Sequence, residues 1–359
     1  MKISVLGAGN AGCAVAADLT LKGHEVTLIK TSHALHDDNF EYLLANNGSM
    51  TLDEFGDVRT AHIHKVTRDL NEITDCTIVI IFIQTNFQEQ LLDRIEPCLR
   101  DGQILLIVPG YLSTAYVLKH CKKEIVVAEA ESSFIDGRIM KPGYFRVGFR
   151  NVRNPVGVYP KSRREETFKV LEQLDERIVP LNSVVEAALH NPNLIVHTVG
   201  SVMSIPRIEK SKGDFCMYYE AYTRDNPATW RILESLDAEK MNVLEKLGFE
   251  RLSYIEACKY RNSLDSTIDG KEVFLEYAEM PTRAKGPLSI ESRYITEDVP
   301  QGLVMLEALG KALGVATPIA TSLIEIASAA LGRDLRKEGR TPHTLGEENI
   351  KKIVSDCKQ

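Results

Sequence analysis

Lys2-Ile3-Ser4-Val5-Leu6-Gly7-Ala8-Gly9-Asn10-Ala11-Gly12 decides how the first half of this chain is read. An apolar, β-branched run meets three glycines spaced G-x-G-x-x-G, and a small-residue helix, Cys13-Ala14-Val15-Ala16-Ala17, carries on to the turn at Lys22-Gly23-His24. In a strand, turn and helix unit of this kind the first glycine makes the tight turn. The second lets the backbone approach a pyrophosphate, and the third lets helix and strand pack closely. The helix N-terminus, with its unpaired N–H groups and dipole, then faces the phosphates. Gly7, Gly9, Asn10, Ala11 and Gly12 are therefore expected to hold a dinucleotide. A glycine turn kept for packing alone is the competing explanation, and the prompt arrival of a second strand at Glu25 to Ile29 weighs against it.

Working outward, short β-branched runs alternate with helical stretches, the pattern of a parallel sheet wrapped by crossover helices. Candidate strands are Lys2 to Leu6, Glu25 to Ile29, Thr77 to Ile83, Gln103 to Val108, Ile125 to Ala128 and Tyr144 to Gly148. Thr77-Ile-Val-Ile-Ile-Phe-Ile83 has no alternation, so it is expected in the middle of a sheet covered on both faces, next to the first strand. From about Pro155 a mixed segment runs to Arg177-Ile-Val-Pro-Leu181, where the composition changes. The expected fold is a doubly wound α/β Rossmann domain over 1–182 and a mostly α-helical domain over 183–359.

An NAD-preferring version of this fold usually ends its second strand in Asp or Glu, which accepts from the ribose 2′-OH. Here the text is Lys30-Thr31-Ser32. A cation and two hydroxyls suit a 2′-phosphate, so NADPH is expected ahead of NADH unless Lys30 is simply a solvated surface lysine. Gln84-Thr85-Asn86 and Pro109-Gly110-Tyr111 follow strands at their carboxyl ends, where open α/β sheets bind ligands, and add Thr85 and Pro109 to the cofactor candidates.

Composition agrees with a folded globular protein. The 359 residues suit two domains of roughly 100–200 residues each. Hydrophobic residues make up 44% and charged residues 26%, with a mean hydropathy of −0.14. Lys and Arg number 43 against 50 Asp and Glu, a net charge of −7 that offers no broad surface for a nucleic acid. No apolar run approaches the ~20 residues of a membrane span, and the N-terminus shows no secretory h-region, so a cytoplasmic protein is expected. The seven cysteines are scattered, with no CxxC and no His at metal-ligand spacing. They read as reduced thiols packed as small hydrophobes, with no metal site.

From Ser183 helical periodicity dominates, at 184–204, 228–247, 301–313 and 318–331. For the last, Thr317 can cap, Pro318 fits the first turn and Gly332 can supply a left-handed end. The tail after Gly332 is expected to be a short helix and a frayed end. Within 184–204, His190, Asn193, His197 and Ser201 stand three or four apart and would share one helical face, Pro192 permitting. Either His alone could equally be a hydrogen-bonded core residue. A second polar cluster is Arg293-Tyr294-Ile295-Thr296-Glu297-Asp298-Val299-Pro300-Gln301. There Asp298 could be a helix N-cap with Gln301 in a capping box, or could orient an imidazole. The basic run Arg333, Arg336, Lys337 and Arg340 reads as a solvated helix end, with an anion contact as its alternative.

Taken together these residues resemble the opine dehydrogenases, the octopine and nopaline group. The likeness spans nearly the whole chain: Leu6-Gly7-Ala8-Gly9-Asn10, Asn191-Pro192-Asn193 with His197, Arg293-Tyr294 with Glu297-Asp298-Val299, Gly302-Leu303-Val304, and Leu335 to Thr341. The resemblance implies a catalytic His–Asp dyad, which it puts on His197 and Asp298, and a substrate-carboxylate ligand at Arg293. It also implies the activity: NAD(P)H-dependent reductive condensation of an L-amino acid with a 2-oxo acid such as pyruvate. Imidazole titrates near neutral pH and suits the proton transfers of that reaction. A member of the family that this chain resembles has Asp where this chain has Lys30, so NADP or NAD cannot be copied across. Two rivals stand beside it. One is a related reductase of the ketopantoate, glycerol-3-phosphate or 2-hydroxy acid type, which would rely on a Lys in the helical domain. The other is a catalytically silent dinucleotide-binding protein. Small-molecule substrates are the expected partners, and apolar helical surface in the second half is compatible with a homodimer.

Overall fold

The computed structural model describes residues 1–33, 35–279 and 285–358. The chain divides into two compact units, Met1–Val184 and Val185–Gln359.

In the first unit the strands are β1 (Lys2–Leu6), β2 (Glu25–Ile29), β3 (Ser49–Glu54), β4 (Asp57–His62), β5 (Lys65–Thr67), β6 (Ile78–Ile81), β7 (Ile104–Ile107), β8 (Val126–Ala130), β9 (Ile135–Lys141), β10 (Tyr144–Arg150), β11 (Asn154–Tyr159) and β12 (Ile178–Pro180). Eight of them form the main sheet in the order β12-β11-β8-β7-β6-β1-β2-β5, parallel except where β11 meets β8. The expected Rossmann sheet is present, and Ile78, Val79, Ile80 and Ile81 are fully buried beside β1. Strand order reverses at β1, since the chain leaves it for β2 on one side and returns to β6 on the other. The glycine turn after β1 therefore stands at the switch point, where the carboxyl ends of the strands leave a crevice.

A four-stranded sheet, β4-β3-β10-β9, completes this unit. It corrects the expectation for Tyr144 to Gly148, which belongs to this smaller sheet and not to the central scaffold. Its hairpin was legible in principle: Met50 and Leu52 alternate with polar residues, and Phe55-Gly56 turns with φ of 54° and 93°.

The second unit is helical throughout its described residues apart from turns and one isolated bridge. Its helices include Pro227–Lys246, Val304–Leu313 and Pro318–Leu331, the last closed by Gly332 at φ 63° as expected. The stretch 184–204 is not one helix. Val184–Leu189 stops before Pro192, which has no N–H to donate, and Pro192–Val202 starts afresh with the Asn191 side chain accepting from Asn193 N at 3.0 Å. The tail is ordered rather than frayed: Pro342–Leu345 and Glu347–Cys357 are helical, with Ile350 and Ile353 buried. No helix of the described residues is long and apolar enough to cross a membrane, and no group of metal-ligating side chains occurs among them.

The three glycines after β1 make different demands. A Cβ on Gly12 would lie 1.8 Å from the Gly7 carbonyl oxygen, whereas one on Gly9 would meet nothing within 4 Å. Gly12→Ala should therefore cost about 1–3 kcal/mol through overpacking, while Gly9→Ala stays within about 1 kcal/mol of the parent. Urea denaturation of the two variants checks this, and a Gly12→Ala as stable as Gly9→Ala would contradict it.

Candidate active site

In the first unit Gly7 turns with φ 110° and donates its N–H to the Ile29 carbonyl at 2.8 Å, which ties the turn to the end of β2. Gly9 is the N-cap of helix Asn10–Leu21, and the open space over its Cα is what a pyrophosphate lying against the backbone requires. Asn10 turns its side-chain oxygen away to accept from Ile139 N at 2.8 Å, so it braces the helix start against β9. Lys30 is buried, and its ammonium bonds the Leu35 carbonyl at 2.8 Å and stands 3.3 Å from Asp37. It is therefore not a solvated surface lysine. The Thr31 and Ser32 carbonyls accept from Arg94 and Arg68. Cys13 is on the buried face of the helix Asn10–Leu21, and burial pushes its thiol up to about 12, as an inert packed thiol requires.

Past β7 a loop is held by groups that the sequence did not single out. Gln88 donates to the Pro109 carbonyl at 2.9 Å and accepts from the Ser113 hydroxyl. Glu129, fully buried on β8, accepts from Leu112 N at 2.9 Å and from Thr114 N at 2.7 Å. Between these anchors Tyr111 and Leu112 adopt φ of 51° and 66°, a conformation costly for residues with a Cβ. A Cβ on Gly110 would strike the Glu129 carboxylate at 1.8 Å, so the glycine is required. The available signal was a carboxylate inside an apolar strand, since a buried charge must have donors. Thr85 is buried at the carboxyl end of β6, within the short turn Thr85–Phe87.

In the second unit His197 and Asp298, 101 residues apart in the chain, meet with Nδ1 2.8 Å from Oδ2. Both are buried, with side chains 8% and 2% exposed. A carboxylate only accepts, so the shared proton sits on Nδ1 and the lone pair of neutral imidazole is left on Nε2. Asp298 makes no side-chain cap, so the capping-box reading is not what the structure shows. It precedes a π-helical turn, Val299–Leu303, of the kind that re-aims a side chain out of a regular helix. Tyr294 stacks on the other side of the imidazole, centroids 3.8 Å apart and planes 9° from parallel. Its neighbour Arg293 is about half exposed, with Nε 3.6 Å from the Glu297 carboxylate.

The other members of the expected polar stripe part company. Ser201 donates to the Met217 sulfur at 3.5 Å. His190 lies before the helix break, and its Nδ1 has no hydrogen-bond partner among the described residues. Burial pushes its pKa well below the ordinary range, and the charges of Lys240 and Arg261 add to the shift. The basic run is not simply solvated. Arg333 pairs with Glu338, and Arg336 with Glu307 and Glu325. Arg340 is fully buried and donates to Gln301 Oε1 at 2.8 Å, inside the π-turn.

Comparison with known proteins joins these observations. Residues 180–331 match the family described as NAD/NADP octopine/nopaline dehydrogenase, alpha-helical domain, and residues 3–132 match ketopantoate reductase PanE/ApbA. An opine dehydrogenase of Arthrobacter sp. (strain 1C) is 25% identical over 96% of this chain and 94% of its own length. Among solved structures, an octopine dehydrogenase in complex with NADH and agmatine superposes with a TM-score of 0.76 at 17% identity, covering 99% of this chain and 98% of that one. A yersinopine dehydrogenase with NADP+ bound gives 0.71 at 15% identity, covering 100% and 97%. At such identities the two solved structures speak to the fold alone. The fold and the two matched domains place the chain among the NAD(P)-dependent oxidoreductases. Its helical residues 180–331 carry the octopine/nopaline dehydrogenase match, and over nearly its whole length the chain is similar to opine dehydrogenases.

His190 supplies a test of the buried electrostatics. Its folded pKa lies below the unfolded value near 6.5, so the unfolded state binds the extra proton first as pH falls. Stability present above about pH 6.5 should decline below it, by up to about 1.4 kcal/mol per pH unit from this one proton. Denaturant titrations between pH 7.5 and 5.5 should show a shallower decline in His190→Asn than in the parent; identical slopes would contradict this assignment.

Proposed function

We propose that this chain reductively condenses an L-amino acid with a 2-oxo acid such as pyruvate, His197 acting as general acid and base and Asp298 orienting it. The observation that carries the reading is the buried Nδ1–Oδ2 bond of 2.8 Å, which leaves Nε2 as the proton acceptor. The octopine/nopaline dehydrogenase match of residues 180–331, the opine dehydrogenase relative and the agmatine complex of the octopine dehydrogenase support the substrate class.

The residues divide the work as follows. Neutral His197 takes a proton from the ammonium of the amino acid on Nε2, which frees the nitrogen lone pair to form the C–N bond with the carbonyl carbon. The imidazolium returns that proton to the former carbonyl oxygen, which takes a second proton from the same nitrogen and leaves as water, so that a protonated imine forms. Asp298 offsets the transient charge and keeps the ring in one tautomer, and the Tyr294 stack holds its plane. Arg293 offers a planar pair of donors that matches a carboxylate. The nicotinamide nucleotide, when bound, supplies the hydride that reduces the imine carbon. Gly7, Gly9, Ala11, Gly12, Thr85 and Pro109 are the groups of the first unit that would hold it, with Thr31 and Ser32 at its adenosine end. Holding two reactants in one oriented arrangement is worth up to ~7–11 kcal/mol in well-oriented intramolecular cases.

The match of residues 3–132 to ketopantoate reductase keeps a second reaction in view, reduction of a 2-oxo acid with no amine. The absorbance of NADPH and NADH, followed first with pyruvate alone and then with pyruvate plus mixed L-amino acids, separates the two. The expected result is amine-dependent oxidation. Oxidation without amine would transfer the chain to the reductase reading, and silence would leave a nucleotide-binding protein. His197→Ala should lower turnover at least ~100-fold while nucleotide affinity is retained. Near-parental turnover in a folded His197→Ala would remove the general-base assignment.

A further inference from the structure

β2 ends at Ile29, and the residues after it, Lys30, Thr31 and Ser32, bring no carboxylate to the place where NAD-preferring Rossmann folds bind the ribose 2′-OH. Two guanidinium groups that are far apart in sequence reach this segment. Arg68 follows β5, which pairs with β2 from Thr27↔Lys65 to Ile29↔Thr67, and its Nη1 donates to the Ser32 carbonyl at 2.8 Å. Arg94, on helix Gln88–Ile95, donates from Nη1 to the Thr31 carbonyl at 3.2 Å.

The nearby carboxylates are already engaged. Asp37 accepts from Arg68 Nη2 at 3.0 Å and lies 3.3 Å from Lys30 Nζ and 3.6 Å from His33 Nδ1. Glu41 stands 3.6 Å from Arg68. The Arg68 bond holds the Asp37 carboxyl below its usual range, so it stays charged and keeps Lys30 and Arg68 in place. Arg68 also lies over the Phe40 ring, 4.4 Å from its centroid, which fixes the plane of its fork. Lys30 is buried under the loop and holds the Leu35 carbonyl, so it supports this segment and does not reach out from it.

A guanidinium has five N–H donors in a rigid plane, and a carbonyl contact occupies one of them. Anchoring through a backbone carbonyl therefore aims each fork, and even with a second Arg68 donor on Asp37 both arginines keep further donors for an anion. A 2′-hydroxyl gains little from two cations, whereas a phosphate monoester carrying close to two charges matches them in charge and in acceptor geometry.

We propose that Arg68 and Arg94 are the two arms of a site for the 2′-phosphate of NADPH, and that they set the nucleotide preference of this chain. The inference rests on the nicotinamide-nucleotide half of the reaction proposed above and names its cofactor. Arg94 is the exposed arm and carries the discrimination with least structural burden, while Arg68 also ties Asp37 to the loop.

Isothermal titration of the full chain with NADPH, NADH and adenosine 2′,5′-bisphosphate, with no amino acid or 2-oxo acid present, tests it. NADPH should bind at least about tenfold tighter than NADH, the value of one charge-assisted hydrogen bond. Arg94→Gln should weaken NADPH and the bisphosphate by about tenfold or more and leave NADH within about twofold, so that NADH itself reports an intact site. Arg68→Gln should do the same, with some loss of thermal stability. NADH binding as tightly as NADPH, an Arg94→Gln that weakens both nucleotides alike, or no nucleotide binding at all would each overturn the proposal. Failure of the condensation reading appears elsewhere, as absent amine-dependent oxidation in a chain that still selects NADPH.

Discussion

A carboxylate that has lost its water is tolerable only beside donors, and the Asp298–His197 bond meets that condition inside the helical unit. Desolvating two such groups costs several kcal/mol each, and removing one partner from a buried pair typically costs about 3–5 kcal/mol. The neighbouring structure serves that contact. The helix bearing His197 is restarted by Pro192 and capped by Asn191, and Asp298 stands where a helix is widened into a π-turn. Arg340 then pins that turn, its side chain on Gln301 and its N–H on the Pro300 carbonyl at 3.0 Å. Irregularities on both sides aim the two side chains at each other.

The two histidines of the 184–204 stretch show how environment separates roles. His197 has a carboxylate on Nδ1 and an aromatic ring on its face. His190, seven positions earlier, is enclosed with Lys240 and Arg261, and its backbone carbonyl accepts from Arg261 at 3.3 Å. Burial first, and then the charges of Lys240 and Arg261, oppose a further positive charge, so His190 is held neutral. A general base needs the reverse, a neighbour that stabilises its cation.

In the Rossmann unit the chemistry of the crevice is mostly backbone chemistry. Gly7 and Gly12 are packed against carbonyl oxygens while Gly9 is left open. The loop after β7 keeps positive φ values at Tyr111 and Leu112 because Glu129 and Gln88 take up its polar groups. Strain of that kind persists only where the surroundings over-determine it, and here it lies at the edge of the sheet where ligands bind.

Much of this was legible in the text of the chain. Glycine spacing after an apolar strand, an unalternating run at 78–81 and a proline at 192 act through local sterics and burial, so the Rossmann sheet and the helical unit could be read directly. The small hairpin at 49–62 is marked only by Met50, Leu52 and its Phe55-Gly56 turn, a pattern too short to stand out beside the long apolar strands. What only the tertiary structure decided are relations between distant residues: Asp298 on His197 rather than on its own helix start, Glu129 under a loop from another strand, Arg68 and Arg94 on one segment. Propensity and period report on neighbours a few residues away, whereas a hydrogen bond across 101 positions depends on how the chain returns.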